Sequence, residues 1–514
     1  MLSNEGPTRS PLRIDERVLH YLMGVSYLDE RLAGLVSLVE PPDLLAESHC
    51  AIAARVEQVW ADEQGAAYPF QLCGSDTDAA WAIAARAAAY ANMPLYALRM
   101  RDLPANAPER ENIARLWQRE SILGAGVLLL AHEDAESAKS ALGLAQRIGA
   151  PCILVGSEPH GIMAHAVRRI EVPPISKDEQ RQVWLDRLGP QAEALNGQLD
   201  LVISNFHLTA DDIRASAERV MSEVDVGRVP AQVMWEACRT QSRAALDDLA
   251  RRIEPMAGWD DLVIGDAERD ILREIVAHVR QRAKVYGSWG FAAKSNRGLG
   301  VSALFAGGSG TGKTMAAEVL ACELGLDLHA IDLSQVVNKY IGETEKNLRR
   351  VFDAAERGGT ILLFDEADAL FGKRSEVKDS HDRHANIEVS YLLSRMEAYR
   401  GLSILTTNQK SALDTAFMRR IRFCIDFQFP DQDERYEIWK RVFPEGTPTE
   451  GLDARKLARL NVAGGNIRNI AMSAAFLAAD AGESVQMKHL VAAAIRECAK
   501  IERSISEIEI GGWV

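Results

Sequence analysis

The residues with the most chemical content read Gly307-Gly308-Ser309-Gly310-Thr311-Gly312-Lys313-Thr314. This is the pattern G-x-x-x-x-G-K-[ST], and its spacing suits a polyphosphate. Glycines let the backbone bend so that successive N–H groups converge on phosphate oxygens. Lys313 can reach the β- and γ-phosphates, and the Thr314 hydroxyl can ligate Mg²⁺. Further along, Ile361-Leu362-Leu363-Phe364-Asp365-Glu366 ends an apolar run in two carboxylates. Asp365 is suited to supporting the Mg²⁺ shell, and Glu366 to polarising a water for attack on phosphorus. The acidic run alone is weak; paired with the glycine-rich loop at this separation it points to ATP hydrolysis.

Positioning these groups requires strands that end at them and a helix that starts on the loop. Ser302 to Ala306 reads as a short apolar strand and Met315 to Leu320 opens an Ala-rich helix, the context a phosphate loop needs. Strand and helix texture also appears earlier, at Phe70–Cys73, Ala79–Ala91, Leu95–Leu98, Val127–Leu130 and Cys152–Val155. Such alternation predicts parallel sheets with helices on both faces, an α/β fold. Leu12, Ile14, Val18, Leu19, Leu22 and Leu28 recur at helical spacing until Pro41-Pro42. We expect a helical N-terminal region over 1–65, an α/β module over 66–235 and a linker over 236–258 around the charged run Asp247 to Arg252. A second α/β subdomain over 259–436, a helical lid over 437–505 and a tail over 506–514 would follow.

The chain has 514 residues, 47% of them hydrophobic and 26% charged, an ordinary globular composition. Its net charge of −14 argues against a dedicated nucleic-acid binder. The seven scattered cysteines form no Cys-x-x-Cys pair, which reads as free thiols in a reducing compartment. The polar N-terminus lacks the pattern of a signal peptide, and the longest apolar run, Ile122 to Ala131, is too short for a membrane span. A cytoplasmic protein is expected, with no membrane partner.

From Trp259 to Glu502 the sequence resembles the AAA+ ATPases, within them the AAA branch. The resemblance implies a P-loop AAA+ module, a parallel sheet between helices plus a helical lid. Leu402-Ser403-Ile404-Leu405-Thr406-Thr407-Asn408 looks like the strand that ends in the sensor asparagine, so Asn408 would hold the attacking water with Glu366. Leu413 to Phe423 resembles the arginine-finger segment, with Arg419 and Arg422 the candidates by position and Arg420 an uncertain neighbour. In the family such arginines reach the γ-phosphate on the adjacent subunit, which implies a homo-oligomeric ring, a hexamer by resemblance. Lys339-Tyr340-Ile341 resembles the first pore loop, which grips an extended protein client; a buried core tyrosine is the plainer reading. Gly372 to Asp379 could form a second pore loop, while nearby His381 and His384 read better as solvated helix positions than as metal ligands. Gly464-Gly465-Asn466-Ile467-Arg468 resembles the start of the lid helix carrying a second sensor, Arg468.

Upstream, Phe70-Gln71-Leu72-Cys73-Gly74-Ser75-Asp76-Thr77-Asp78-Ala79-Ala80-Trp81 looks like the same strand, loop and helix with its chemistry removed. Aligning Gly74 with Gly307 puts Ala79, Ala80 and Trp81 at the places of Gly312, Lys313 and Thr314. Val127 to His132 aligns with Ile361 to Glu366, so alanine replaces Asp365 and histidine replaces Glu366. Ser157 stands for Asn408, and Trp184 matches Trp439. The separations are 233 residues for Ala80 and Lys313, 234 for Ala131 and Asp365, 251 for Ser157 and Asn408, and 255 for the tryptophans. Residues 66–235 therefore read as a degenerate AAA+-like module without ATPase chemistry, or else as an unrelated α/β domain. The whole arrangement is similar to bacterial AAA ATPases associated with contractile injection systems, through Leu12 to Leu22 and Ala385 to Leu393.

These readings lead to an ATPase, with ATP and Mg²⁺, that remodels or threads a protein client. A nucleotide-switched assembly or scaffold protein for a larger particle is the alternative. A nucleic-acid motor is disfavoured by the charge and by the aromatic pore loop.

Overall fold

The computed structural model describes residues 14–62, 69–74, 76–104, 106–124, 126–156, 167–195, 198–224, 229–243, 246, 249–294, 298–333, 343–365, 367, 390–410 and 415–513. Contacts divide the chain into two compact units: Met1–Leu195 with Leu208–Val226, and Asn196–His207 with Gly227–Val514.

The first unit holds six strands: β1 (Ser37–Val39), β2 (Phe70–Cys73), β3 (Leu95–Arg99), β4 (Val127–Ala131), β5 (Cys152–Gly156) and β6 (Arg168–Glu171). They lie in the order β1-β3-β4-β5-β2-β6, parallel except for β1, which pairs antiparallel with β3. The near-continuous apolar runs of β4 and β5 follow from burial on both faces. Val127, Leu129, Ile153 and Val155 pack toward the Ala-rich helix Thr77–Tyr90. Leu128, Leu130, Cys152 and Leu154 pack on the other face with Trp117 and Leu144. The small side chains of TDAAWAIAARAAAY favour helix and let it lie close to the sheet.

The second unit repeats the plan. Its strands are β7 (Arg251–Ile253), β8 (Val301–Gly307), β9 (Leu328–Asp332), β10 (Ile361–Asp365), β11 (Leu402–Thr407) and β12 (Phe423–Phe427). Read from β7, the order is β7-β9-β10-β11-β8-β12, the first sheet's order with each number raised by six. Here too the first strand is antiparallel, on β9.

Register makes the correspondence residue-specific. Phe70 faces Ile153 and Arg168, and Ala303 faces Ile404 and Phe423. Those three equivalences are separated by 233, 251 and 255 residues, the same shifts that relate Ala80 to Lys313, Ser157 to Asn408 and Trp184 to Trp439. Leu95 with Val127, against Leu328 with Ile361, gives 233 and 234. A one-residue slip would send every side chain to the wrong face, and agreement across these three strand pairs gives the two sheets one register. Helices after β6 and β12 agree as well. Ser176 and Asp431 each close a capping box, with Glu179 and Glu434, and each helix buries a tryptophan, Trp184 and Trp439.

Gly74 and Gly307 are equivalent for a packing reason. A Cβ on Gly74 would stand 2.4 Å from the Val172 carbonyl oxygen, and one on Gly307 would stand 2.3 Å from that of Phe427. The glycine survives in the first sheet because the chain after β6 lies against it, not because a phosphate does.

Four expectations for these segments change. Residues 1–65 are not all helical: helices Glu16–Leu22 and Glu47–Asp62 flank β1, whose three residues are too few for periodicity to reveal. Much of the linker expected at 236–258 is structured among the described residues. Helix Pro230–Arg243 runs into it, Arg243 pairs with Asp327 through two N–H donors at 2.7 and 2.9 Å, and Arg251-Arg252 form edge strand β7. Charge there is compatible with a strand because its outer edge faces water. The tail is docked: Trp513 is buried in the lid core with Trp439, Ile467 and Leu490, and its indole donates to the Lys456 carbonyl. A lid boundary at 437 would also cut helix Gln432–Arg441.

Gly74→Ala is expected to lower stability by about 1–3 kcal/mol through the Val172 contact. Gly143→Ala, inside helix Ala135–Ile148 where a Cβ meets nothing within 4 Å, should raise it by up to about 1 kcal/mol. Opposite shifts of the denaturant midpoint check both.

Candidate nucleotide-binding site

Strand β8 ends at Gly307, and helix Lys313–Leu324 begins after Gly312. Gly310 and Gly312 have φ of 78° and 102°, which suits glycine and turns the intervening backbone into a loop. No side chain caps the new helix. Its first amides and the positive end of its dipole therefore remain available to an anion.

Lys313 is 9% exposed, and its ammonium donates to the carbonyls of Gly307 (2.7 Å) and Gly308 (2.8 Å) and to Oδ1 of Asn408 (2.9 Å). Thr311 closes the loop by donating to the Gly308 carbonyl. Asp365 and Asn408 lie at the carboxyl ends of neighbouring strands β10 and β11, and the Thr406 hydroxyl donates to Asp365 Oδ1. A charged amine, a carboxylate and an amide thus meet at one edge of the sheet, where open parallel sheets bind ligands.

Above this edge lies a cavity of about 760 Å³, lined by Ser309 to Met315, Asp365, Asn408, Gly464, Gly465 and Arg468. The lid touches the loop directly: the Gly465 N–H donates to the Gly310 carbonyl at 2.9 Å. Helix Gly464–Ala481 therefore starts on the phosphate loop, and the exposed Arg468 one turn later faces the same cavity. The oxygen donors of Thr314 and Asp365 suit a hard divalent cation such as Mg²⁺, and the loop amides with Lys313 suit its phosphate partners.

The cavity's far end was missed in the sequence. Leu262, Val263, Ile264, Met315 and Ile438 form an apolar wall, with Arg441 donating to the Asp260 carbonyl to hold that segment. The run Leu262-Val263-Ile264-Gly265 was its only signal, and a short apolar run is equally consistent with core.

Arg419 and Arg422 lie between helix Thr415–Met418 and β12, both exposed, and neither lines the cavity of its own chain. Arg420 Nε stands 3.7 Å from Glu397. Glu366, Lys339, Tyr340, Ile341, Gly372 to Asp379, His381 and His384 lie outside the described residues.

The equivalent place in the first sheet is built differently. Helix Thr77–Tyr90 starts earlier and is capped by Asp76, which is 7% exposed and accepts from the Ala79 N–H at 2.9 Å. Ala79 corresponds to Gly312, so a carboxylate of the chain itself already occupies an amide that the other loop leaves uncapped. The Asp365–Thr406 pair is replaced by Ala131 facing Val155. His132, at the place of Glu366, packs on Gly156, where a Cβ would come within 2.1 Å of the ring.

Comparison with known proteins agrees with this anatomy. Residues 303–431 match the ATPase family associated with various cellular activities, and residues 176–244 match the contractile injection system ATPase helical domain. An uncharacterized AAA family ATPase of Sinorhizobium fredii is 30% identical over 239 residues, covering 43% of this chain and 70% of its own length. Proteasome-activating nucleotidases of Methanococcus vannielii and Methanopyrus kandleri are 32% and 29% identical, over 39% and 44% of this chain. The chain spans 52% of the length of each nucleotidase. Among the described residues no helix is long and apolar enough to cross a membrane, and all seven cysteines are free.

The two loops make a quantitative expectation. Equilibrium binding of a non-hydrolysable ATP analogue should saturate at one per chain and vanish in Lys313→Ala. Asp76→Ala should lower stability by about 1 kcal/mol through loss of a cap, with ATP turnover unchanged. A second nucleotide bound per chain would contradict this account of the first loop.

Proposed function

This chain belongs to the AAA family of ATPases, and we propose that its hydrolysis of ATP drives a homo-oligomeric, hexameric ring that remodels or threads a protein client. The observation that carries the ATP-site reading is the meeting of Lys313, Asp365 and Asn408 at the strand ends, beneath a lid that places Arg468 on the same cavity.

In this reading the amides of 308–313 and Lys313 hold the β- and γ-phosphates, and the apolar wall of Leu262, Ile264 and Ile438 takes the base. Thr314 and Asp365 hold Mg²⁺, which when bound neutralises charge on the phosphates. Glu366 draws a proton from the attacking water, and Asn408 orients that water. Arg468 approaches the phosphates from the lid. Arg419 and Arg422, outside their own cavity, act on a nucleotide bound by the neighbouring subunit. Tyr340, flanked by Lys339 and Ile341, grips the client in the pore. The net charge of −14 supports a protein client over nucleic acid, and free cysteines support a cytoplasmic site.

The match of residues 176–244 to the contractile injection system ATPase helical domain favours a second reading, in which ATP binding orders a larger particle of that kind and turnover resets it. Tyr340→Ala separates the two. Threading requires that it keep ATPase activity and lose remodelling, whereas ordered assembly leaves it harmless and makes Lys313→Ala the damaging change.

Glu366→Gln should retain ATP and slow turnover by roughly 10²–10⁴-fold; turnover at the wild-type rate removes Glu366 from its role. In ATP the same variant should hold its client for pull-down. Arg419→Ala should slow turnover by about 10³-fold, and a fully active monomer would contradict catalysis between subunits.

A further inference from the structure

Helix Asp266–Arg282 does not end cleanly but widens into a π-helical turn, Ala283–Ser288. Such insertions are rare and often re-aim a side chain at a functional place. Here the turn carries Tyr286, whose hydroxyl oxygen accepts a hydrogen bond from Nη1 of Arg422 at 2.7 Å. The backbone of Arg422 is fixed from the other side, its N–H donating to Ser302 at Oγ (3.1 Å). The next residue, Phe423, stacks edge-on against His278 of the same helix, with ring centroids 5.0 Å apart.

The partner's chemistry matters. Among the described residues Arg422 has no carboxylate within 4 Å, whereas Arg420 faces Glu397 at 3.7 Å. A hydrogen bond to an uncharged phenol is weaker than one to a carboxylate. It can order a guanidinium without neutralising it, and it can be surrendered to a phosphate. Burial, with Arg422 beside it, pulls the His278 pKa below its ordinary value against the opposing pull of Glu274. On the same segment Trp289 and Phe291 are 62% and 59% exposed, large apolar groups suited to being covered by another copy of the chain.

We propose that Tyr286 is the positioning residue for Arg422, holding its guanidinium extended at the subunit surface until the neighbour's γ-phosphate takes it. This rests on the reading of Arg422 as a finger acting between subunits. Holding the group in advance reduces the ordering needed at insertion, which acts on the chemical step and not on ATP affinity.

The test is Tyr286→Phe in the full-length assembled chain, which removes the hydroxyl and keeps the ring. Turnover should fall about 3–10-fold, the range of one uncharged hydrogen bond, with KM for ATP, assembled mass and melting temperature unchanged. In an Arg422→Ala background, followed by sensitive single-turnover phosphate release, Tyr286→Phe should have no further effect. Wild-type turnover in Tyr286→Phe, an equal loss in the Arg422→Ala background, or a changed KM or assembly would overturn the proposal. Arg422→Ala alone turning over at the wild-type rate would instead remove the finger reading on which it depends.

Discussion

A helix that begins where a parallel strand ends presents amide donors that nothing inside the helix can satisfy, and the two sheets answer that constraint differently. At Gly312 the donors are left without a side-chain cap, and loop, lysine and lid are arranged around them. At Asp76 a carboxylate of the chain takes up the Ala79 amide. The rest of each site follows. Where the amides await phosphate, Lys313, Asp365 and Asn408 converge. Where they are satisfied internally, Ala80, Ala131 and an apolar Val155 contact suffice. The two sheets share one scaffold, and the phosphate-loop side chains stand only on the second.

The lid shows how closely binding and architecture are joined. Gly465 donates to Gly310, and a Cβ on Gly465 would stand 3.0 Å from the Gly310 Cα. The two backbones approach so nearly that the loop cannot reshape without moving the lid helix. Trp439, Leu490 and Trp513 bind that helix into a single apolar cluster.

Much of this was legible in the sequence. The central strands of both sheets fall within a residue or two of their expected places, because five-residue apolar runs buried on both faces leave a clear trace. Separations of 233, 251 and 255 residues between matching motifs equal those between matching strand positions. What escaped was tertiary in origin. Strands β1 and β7 have three residues each and exist only through their partners. The apolar wall at Leu262 to Ile264 has no chemical signature, and Arg422's partner Tyr286 lies 136 residues away. Trp513 looked like part of a tail because burial depends on helices distant in sequence.

Strand β7 has a practical meaning for handling the second unit. Arg252 pairs with His329 along the rim of β9, and the resemblance to ATPases begins only at Trp259. A fragment cut where the resemblance starts loses that strip and bares unpaired N–H and C=O groups along β9, a template for pairing with another chain. Three residues upstream of the recognisable motifs cover that edge, and two of them are arginines that repel a second copy of it.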